Sequence, residues 1–264
     1  MHVTFTFMAR GDLPLAAVWE EYFSGCEAGS YGIVVHTQRG LGNTTGSVFD
    51  GTVLPDPVQG DTRFSWTGTA VMYKAMGGAL ERFPQTDYVQ YLSDSCAPVR
   101  TCPLYYEYVL QSRKSPSQSY FARVDARRKP RKTYGNHALP SDSIPAPFQN
   151  ETTPYYYASQ WITLSSTHSR HLLSLNQTDL RVKYTDYQIL DRQVFTPDED
   201  VFAIEILRAY GKSDVYPRTL TWTDFSQYNK GGHPRTFSDG TNLVENALHN
   251  IIRDPNRFFA RKFT

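Results

Sequence analysis

The chain has 264 residues, 40% of them hydrophobic and 14% aromatic, and a formal net charge of +1. That is enough apolar material for one large core or two small ones, and the balanced charge gives no global electrostatic reason to expect nucleic acid or a membrane surface as partner. Three cysteines, Cys26, Cys96 and Cys102, cannot all pair and none stands in a C-x-x-C, so the sequence predicts free thiols in a reducing compartment and no structural zinc.

The opening MHVTFTFMARGDLP runs straight into an apolar strand and reaches Arg10 within ten residues. It is too short for a signal-peptide core or a membrane span, and a cytoplasmic location is the expectation. The sequons at Asn43, Asn150 and Asn176 are then expected to be unused. Residues 3–9 read as a strand and 13–23 as an amphipathic helix after the Gly11-Asp12 turn. Residues 31–37 form a near-continuous apolar run, as buried parallel strands do, and 40–60 is a Gly- and Pro-rich loop. A helix over 69–83 tolerates the Gly77-Gly78 pair; 87–95 is a second buried strand, 102–111 a helix and 117–126 a strand. This alternation predicts an α/β fold with a mainly parallel, nucleotide-binding type of sheet flanked by helices.

The middle differs. Residues 127–155 are rich in Pro, Ser and Asn, and the basic run ARRKPRK leads into them. That run is short and set in a neutral chain, so a solvated or substrate-rim loop is expected rather than a nucleic-acid contact. A strand at 156–165 and helices at 167–174 and 197–209 follow, then RTLTWTDF, an amphipathic helix over 240–252 and the tail RFFARKFT. The reading is a single domain over 1–264, with a nucleotide-binding half (1–126), a loop (127–155) and a second half (156–264).

Few motifs carry chemistry alone. GLGNTTG (40–46) lacks the phosphate-loop spacing and leads into no helix. The histidines show no metal-ligand spacing, and there is no G-x-S-x-G. LSDSC (92–96) lies where a buried strand empties into a loop, the end at which open α/β sheets bind ligands. Ser93, Asp94 and Ser95 are therefore either ligand-binding residues or a strand-terminating turn. In TPDEDVF (196–202), Thr196, Pro197 and Glu199 form a capping box, so Glu199 is either a cap or a base. Asp198-Glu199-Asp200 is also formally a D-x-D, but such metal motifs usually follow a strand. Lys262 sits among Phe258, Phe259 and Phe263, which predicts a docked tail rather than a frayed one.

Taken in order, FMARGDLPLAAVWEEYF, FSWTGTAVM, YLSDSCAPV, YYASQWITLS, TPDEDVF, HPRTF and FFARKF resemble the core-2/I-branching glycosyltransferases, glycosyltransferase family 14, most similarly the short anchor-less form of large algal viruses. The resemblance implies a GT-A-like fold and inverting transfer of one sugar, xylose or N-acetylglucosamine, from a UDP-sugar to a hydroxyl of an oligosaccharide or glycoprotein. It implies Glu199 as catalytic base, with Arg235 and Lys262 holding the diphosphate, so that no divalent metal and no cofactor is expected. The further donor-side candidates are Asp94, Ser93, His36, Trp66 and Arg10; those on the acceptor side are Trp222, Trp161 and Asp198. Tyr73-Lys74 departs from the Ala-Glu pair common in plant members, and 127–155 aligns poorly, which leaves the acceptor open. A non-catalytic glycan-binding or structural protein that keeps the fold is the alternative.

Overall fold

A computed structural model of the chain describes residues 1–61, 65–125, 132–133, 137–138, 156–182, 184, 197–224, 234–238, 249, 251 and 253–263, with backbone alone at 123–125, 132–133, 137–138 and 156–157. The basic run at 127–131, Thr196 and most of the expected helix over 240–252 lie outside the described residues.

The framework is laid down by β1 (Val3–Ala9), β2 (Tyr31–Thr37) and β3 (Tyr88–Ser93), with β1 between the other two and parallel to both. Beyond β3 the sheet continues through β10 (Thr163–Ser165), antiparallel to it, then β5 (Ser119–Tyr120) and β11 (Val215–Tyr216). The six-stranded order is β11-β5-β10-β3-β1-β2. This is the expected α/β architecture with a mostly parallel central sheet.

Side chains on a strand alternate between faces, and each face of this sheet carries its own core. Val34, Val89 and Tyr91 face α2 (Trp66–Arg82), α4 (Ser166–Ser174) and α5 (Pro197–Tyr210). Val3, Phe5, Phe7, Ile33, Val35 and Tyr88 face α1 (Ala16–Ser24) and α3 (Cys102–Ser112). The second layer is rich in aromatic rings: Phe5 lies within 6.2 Å, ring to ring, of Tyr22, Phe23, Tyr105 and Phe259. The Gly pair inside α2 has a packing reason, since a Cβ on Gly78 would collide with Leu54 Cδ2. The loop after β2 can close on this helix only where no side chain stands.

Two expected strands are each divided. Residues 117–126 give β5 and then β6 (Arg123–Asp125), and 156–165 give β9 (Tyr156–Ala158) and then β10. The chain leaves the main sheet between them, and β6 pairs with β9 as a separate antiparallel ribbon. Within the expected loop, β7 (Lys132–Thr133) and β8 (His137–Ala138) pair antiparallel. A small three-stranded sheet takes β12 (Thr221–Thr223), β13 (Phe259–Arg261) and β4 (Ala97–Pro98) in the order β12-β13-β4. It fixes the C-terminal tail to the end of β3: Phe258 and Phe259 are buried, and Phe263 N–H bonds to the Ser95 carbonyl at 2.9 Å. The tail is docked, as its phenylalanines require.

The free-thiol expectation is corrected. Cys26, one residue beyond the C-cap of α1, is disulfide-bonded to Cys102, the first residue of α3; Cys96 alone remains a thiol, and it is buried. Counting parity excluded a scaffold using every cysteine but said nothing against a single pair. What brings the two together is that the end of α1 and the start of α3 both pack on the same face of the sheet.

Candidate active site

Parallel strands β1 and β3 end together, Met8 opposite Ser93, and their carboxyl ends form the floor of the site. Asp94 follows β3, where its Oδ2 accepts a 3.4 Å hydrogen bond from the backbone N–H of exposed Arg10. Ser93 and Ser95 are turned inward, their hydroxyls 3.1 Å apart, and the Cys96 thiol lies 3.3 Å from the Ser93 hydroxyl and accepts from the Ser93 N–H. Both serines therefore build the turn, and Asp94 is the residue it presents.

The second wall is the start of α5. Acidic residues are favoured at a helix N-terminus, where unsatisfied N–H groups carry partial positive charge. Here Asp198, Glu199 and Asp200 take three different directions. Asp198 Oδ2 accepts a 2.7 Å hydrogen bond from Gln160 Nε2, Asp200 is fully buried, and Glu199 stays half-buried. Glu199 acts electrostatically on Arg261, so the start of α5 lies within charge range of the C-terminal tail.

The third wall is that tail. β13 runs beside β12, with Thr223 opposite Arg261. The Arg261 guanidinium lies 4.0 Å above the centroid of Trp161. Burial draws its pKa down, opposed by the Cys96 thiol and by the carboxylates of Asp94 and Glu199. The same contact is felt in reverse at Cys96, where burial pushes the thiol pKa up and Arg261 pulls against it. Phe237 bridges to Phe263 and donates its N–H to the Lys262 carbonyl at 2.7 Å, so the segment carrying Arg235 lies beside the one carrying Lys262. Arg235 itself is held by Asp224, through a 2.9 Å backbone bond and a 3.8 Å ion pair.

The structure thus brings Asp94, Glu199 and Trp161 together around Arg261, while Lys262 is placed through its backbone, whose carbonyl ties it to the segment that carries Arg235. Trp222 packs against Phe237 with ring centroids 6.0 Å apart. The Trp161 face that could have stacked on a sugar is covered by Arg261. His36 is buried at the end of β2, and its Nε2 accepts the Val58 N–H at 2.9 Å; burial holds its pKa below the usual histidine range. That ring secures the loop after β2. Trp66 opens α2 and stacks towards Tyr73, 6.5 Å between centroids, at the edge of the α2-side core.

Arg261 was not among the residues expected from sequence, although a signal existed. Phe259 is buried, and in a strand a residue two positions on shares its face, so Arg261 points inward with it. Gln160 and Asp224, which hold Asp198 and Arg235, lie in the stretches YYASQWITLS and RTLTWTDF, but nothing in those stretches marks them as the partners.

The profile described as Branch: Core-2/I-Branching enzyme matches residues 3–252. The chain belongs to the Core-2/I-branching enzyme family. Among curated proteins it is similar to Glycosyltransferase BC10 of Oryza sativa subsp. japonica, 29% identical over 171 residues, which cover 63% of this chain and 39% of that protein. This Core-2/I-branching chain therefore spans about two fifths of the relative's length. Among solved structures it is similar to a glycosyltransferase involved in the glycosylation of the major capsid of PBCV-1 (10% identity, TM-score 0.38, covering 99% of this chain and 93% of that one). It is similar also to the mouse xyloside xylosyltransferase 1 (10% identity, TM-score 0.38, covering 98% and 97%). Among the described residues, no helix is long and apolar enough to cross a membrane.

Proposed function

We propose that the chain is an inverting glycosyltransferase that moves one sugar from a UDP-sugar to a glycan hydroxyl, with Glu199 as the base and without a divalent metal. Family membership supports sugar transfer. The reading rests on the electrostatic proximity of Glu199, at the start of α5, to the C-terminal tail at Arg261, which the Asp94 carboxylate after β3 also feels.

In the proposed reaction the acceptor oxygen attacks the anomeric carbon from the side opposite the diphosphate. Its proton passes to a Glu199 carboxylate oxygen as the new C–O bond forms. The bond from the anomeric carbon to the diphosphate breaks, and its electron pair leaves on the phosphate oxygen. Fixed cations at that oxygen stabilise the charge that develops in the transition state. Arg235 and Lys262 are suited to this, Arg as a fork and Lys as a point charge. Asp198 and Trp222 stand towards the acceptor side in this reading, and xylose and N-acetylglucosamine are the candidate donor sugars.

The test is Glu199→Gln, which keeps the shape and removes the base. A positioned general base contributes about 10²- to 10⁴-fold. Transfer should fall by that factor with the donor chosen from a UDP-sugar panel, while UDP affinity measured by titration is retained. A variant that transfers at the parental rate would remove Glu199 from the mechanism. A parent that shifts its melting temperature with no UDP compound would remove the donor class.

A further inference from the structure

Arg261 has no part in the mechanism above, and the role assigned to it below rests on that donor reading. A guanidinium offers five N–H donors and accepts none, so enclosing one demands acceptors. Other arginines of the chain meet that demand. Arg82 gives its N–H groups to the carbonyls of Gly51, Thr52 and Val53, at 2.7 to 3.1 Å. Arg257 is served by Asp254 Oδ2 at 3.1 Å and the Thr219 carbonyl at 2.5 Å.

Arg261 is treated differently. Its Nε is sealed from solvent and has no hydrogen-bond partner among the described residues, and its close neighbour is a ring face, that of Trp161 at 4.0 Å. Stacking on an aromatic face uses the flat side of the guanidinium and leaves the in-plane fork unspent. The residue keeps some open surface, so something entering from the strand ends can reach it. Asp94 and Glu199 act on it through space. Among the described residues the guanidinium is held in place with no oxygen partner at Nε. A diphosphate offers several oxygens in the spacing that a fork meets two at a time. Arg235, by contrast, is already tied to Asp224.

We propose that Arg261 is the principal phosphate-binding residue of the site, its in-plane N–H groups closing on the diphosphate of the donor while Trp161 supports its flat face. The experiment is calorimetric titration of the full chain, its R261Q variant and its R261K variant with UDP, inorganic pyrophosphate and uridine. Charge-assisted hydrogen bonds of this kind predict that R261Q weakens UDP by roughly 30-fold or more. R261K, with a point charge in place of the fork, should weaken it by roughly tenfold. Uridine should bind all three alike. If R261Q binds UDP within twofold of the parent, the assignment to Arg261 is overturned and the donor reading survives. Should R261Q fail to fold, R261K decides, and UDP affinity within twofold of the parent overturns the assignment. A parent that binds pyrophosphate but not UDP, with R261K weakening it, upholds the anion site and overturns the nucleotide donor. A parent that binds none of the three overturns both.

Discussion

His168 has no exposed surface, yet it carries a titratable ring into the heart of the molecule. Its Nδ1 pairs with the Ser119 hydroxyl at 2.7 Å, its Nε2 lies 4.0 Å from Asp214 Oδ2, and the Tyr210 ring covers it at 4.5 Å. Burial lowers its pKa to about 4; Asp214 opposes the shift and His171 adds to it. Between pH 6.5 and about 4 the unfolded chain takes up a proton that the folded chain refuses, so stability falls as pH drops through that window. One such ring accounts for a loss on the order of 3 kcal/mol by pH 4. His168→Gln should flatten the slope of urea midpoint against pH between 4 and 6.5. The buried His2 and His36, also lowered by burial, leave a residual slope of the same sign. A variant profile parallel to the parent's would show that another group titrates.

At the scale of elements, the Cys26–Cys102 bridge ties the end of α1 to the start of α3 across a sequence separation of 76. Closing a loop of that length in the unfolded chain is worth about 4 kcal/mol in the chain-entropy account. Reduction with dithiothreitol, or Cys26→Ser, should lower the melting temperature by roughly 8 to 15 °C for a domain of this size. Equal melting with and without reductant would mean that the bridge contributes nothing to the folded state. The same elements show what could be read in advance. Strands β1, β2 and β3 and helices α2, α3 and α5 announce themselves because each buries long apolar runs, which local composition reports directly. The divisions at 121–122 and 159–162 do not, because they depend on a distant partner: Phe121 N–H turns to the Tyr216 carbonyl. The disulfide is illegible for the same reason, since it expresses helix packing rather than cysteine spacing. Within the site, Asp94 was legible from its place after a buried strand, whereas Arg261 required knowing that the tail is a strand and which face of it is buried.

Over the whole molecule, the charge that the proposed group transfer calls on comes from parts far apart in sequence. Asp94 comes from the first half, Glu199 from the start of a late helix, and Arg235, Arg261 and Lys262 from the C-terminal segments clamped to β4 and Ser95. A divalent cation would serve the same electrostatic purpose, drawing carboxylate oxygens around itself at short range. Of the D-x-D carboxylates, Asp198 accepts from Gln160 and Asp200 is buried in α5. Fixed guanidinium and ammonium groups need no such ligands and impose no metal dependence. Transfer with the donor selected from the UDP-sugar panel should therefore persist, within about twofold, in excess EDTA after dialysis against chelator. Loss of all turnover under chelation, with recovery on adding Mn²⁺, would instead require Asp198 or Asp200 to leave its present partner and turn to the metal. In that event Asp198→Asn should abolish the recovery, while in the metal-free mechanism the same substitution loosens only the Gln160 contact and costs less than Glu199→Gln.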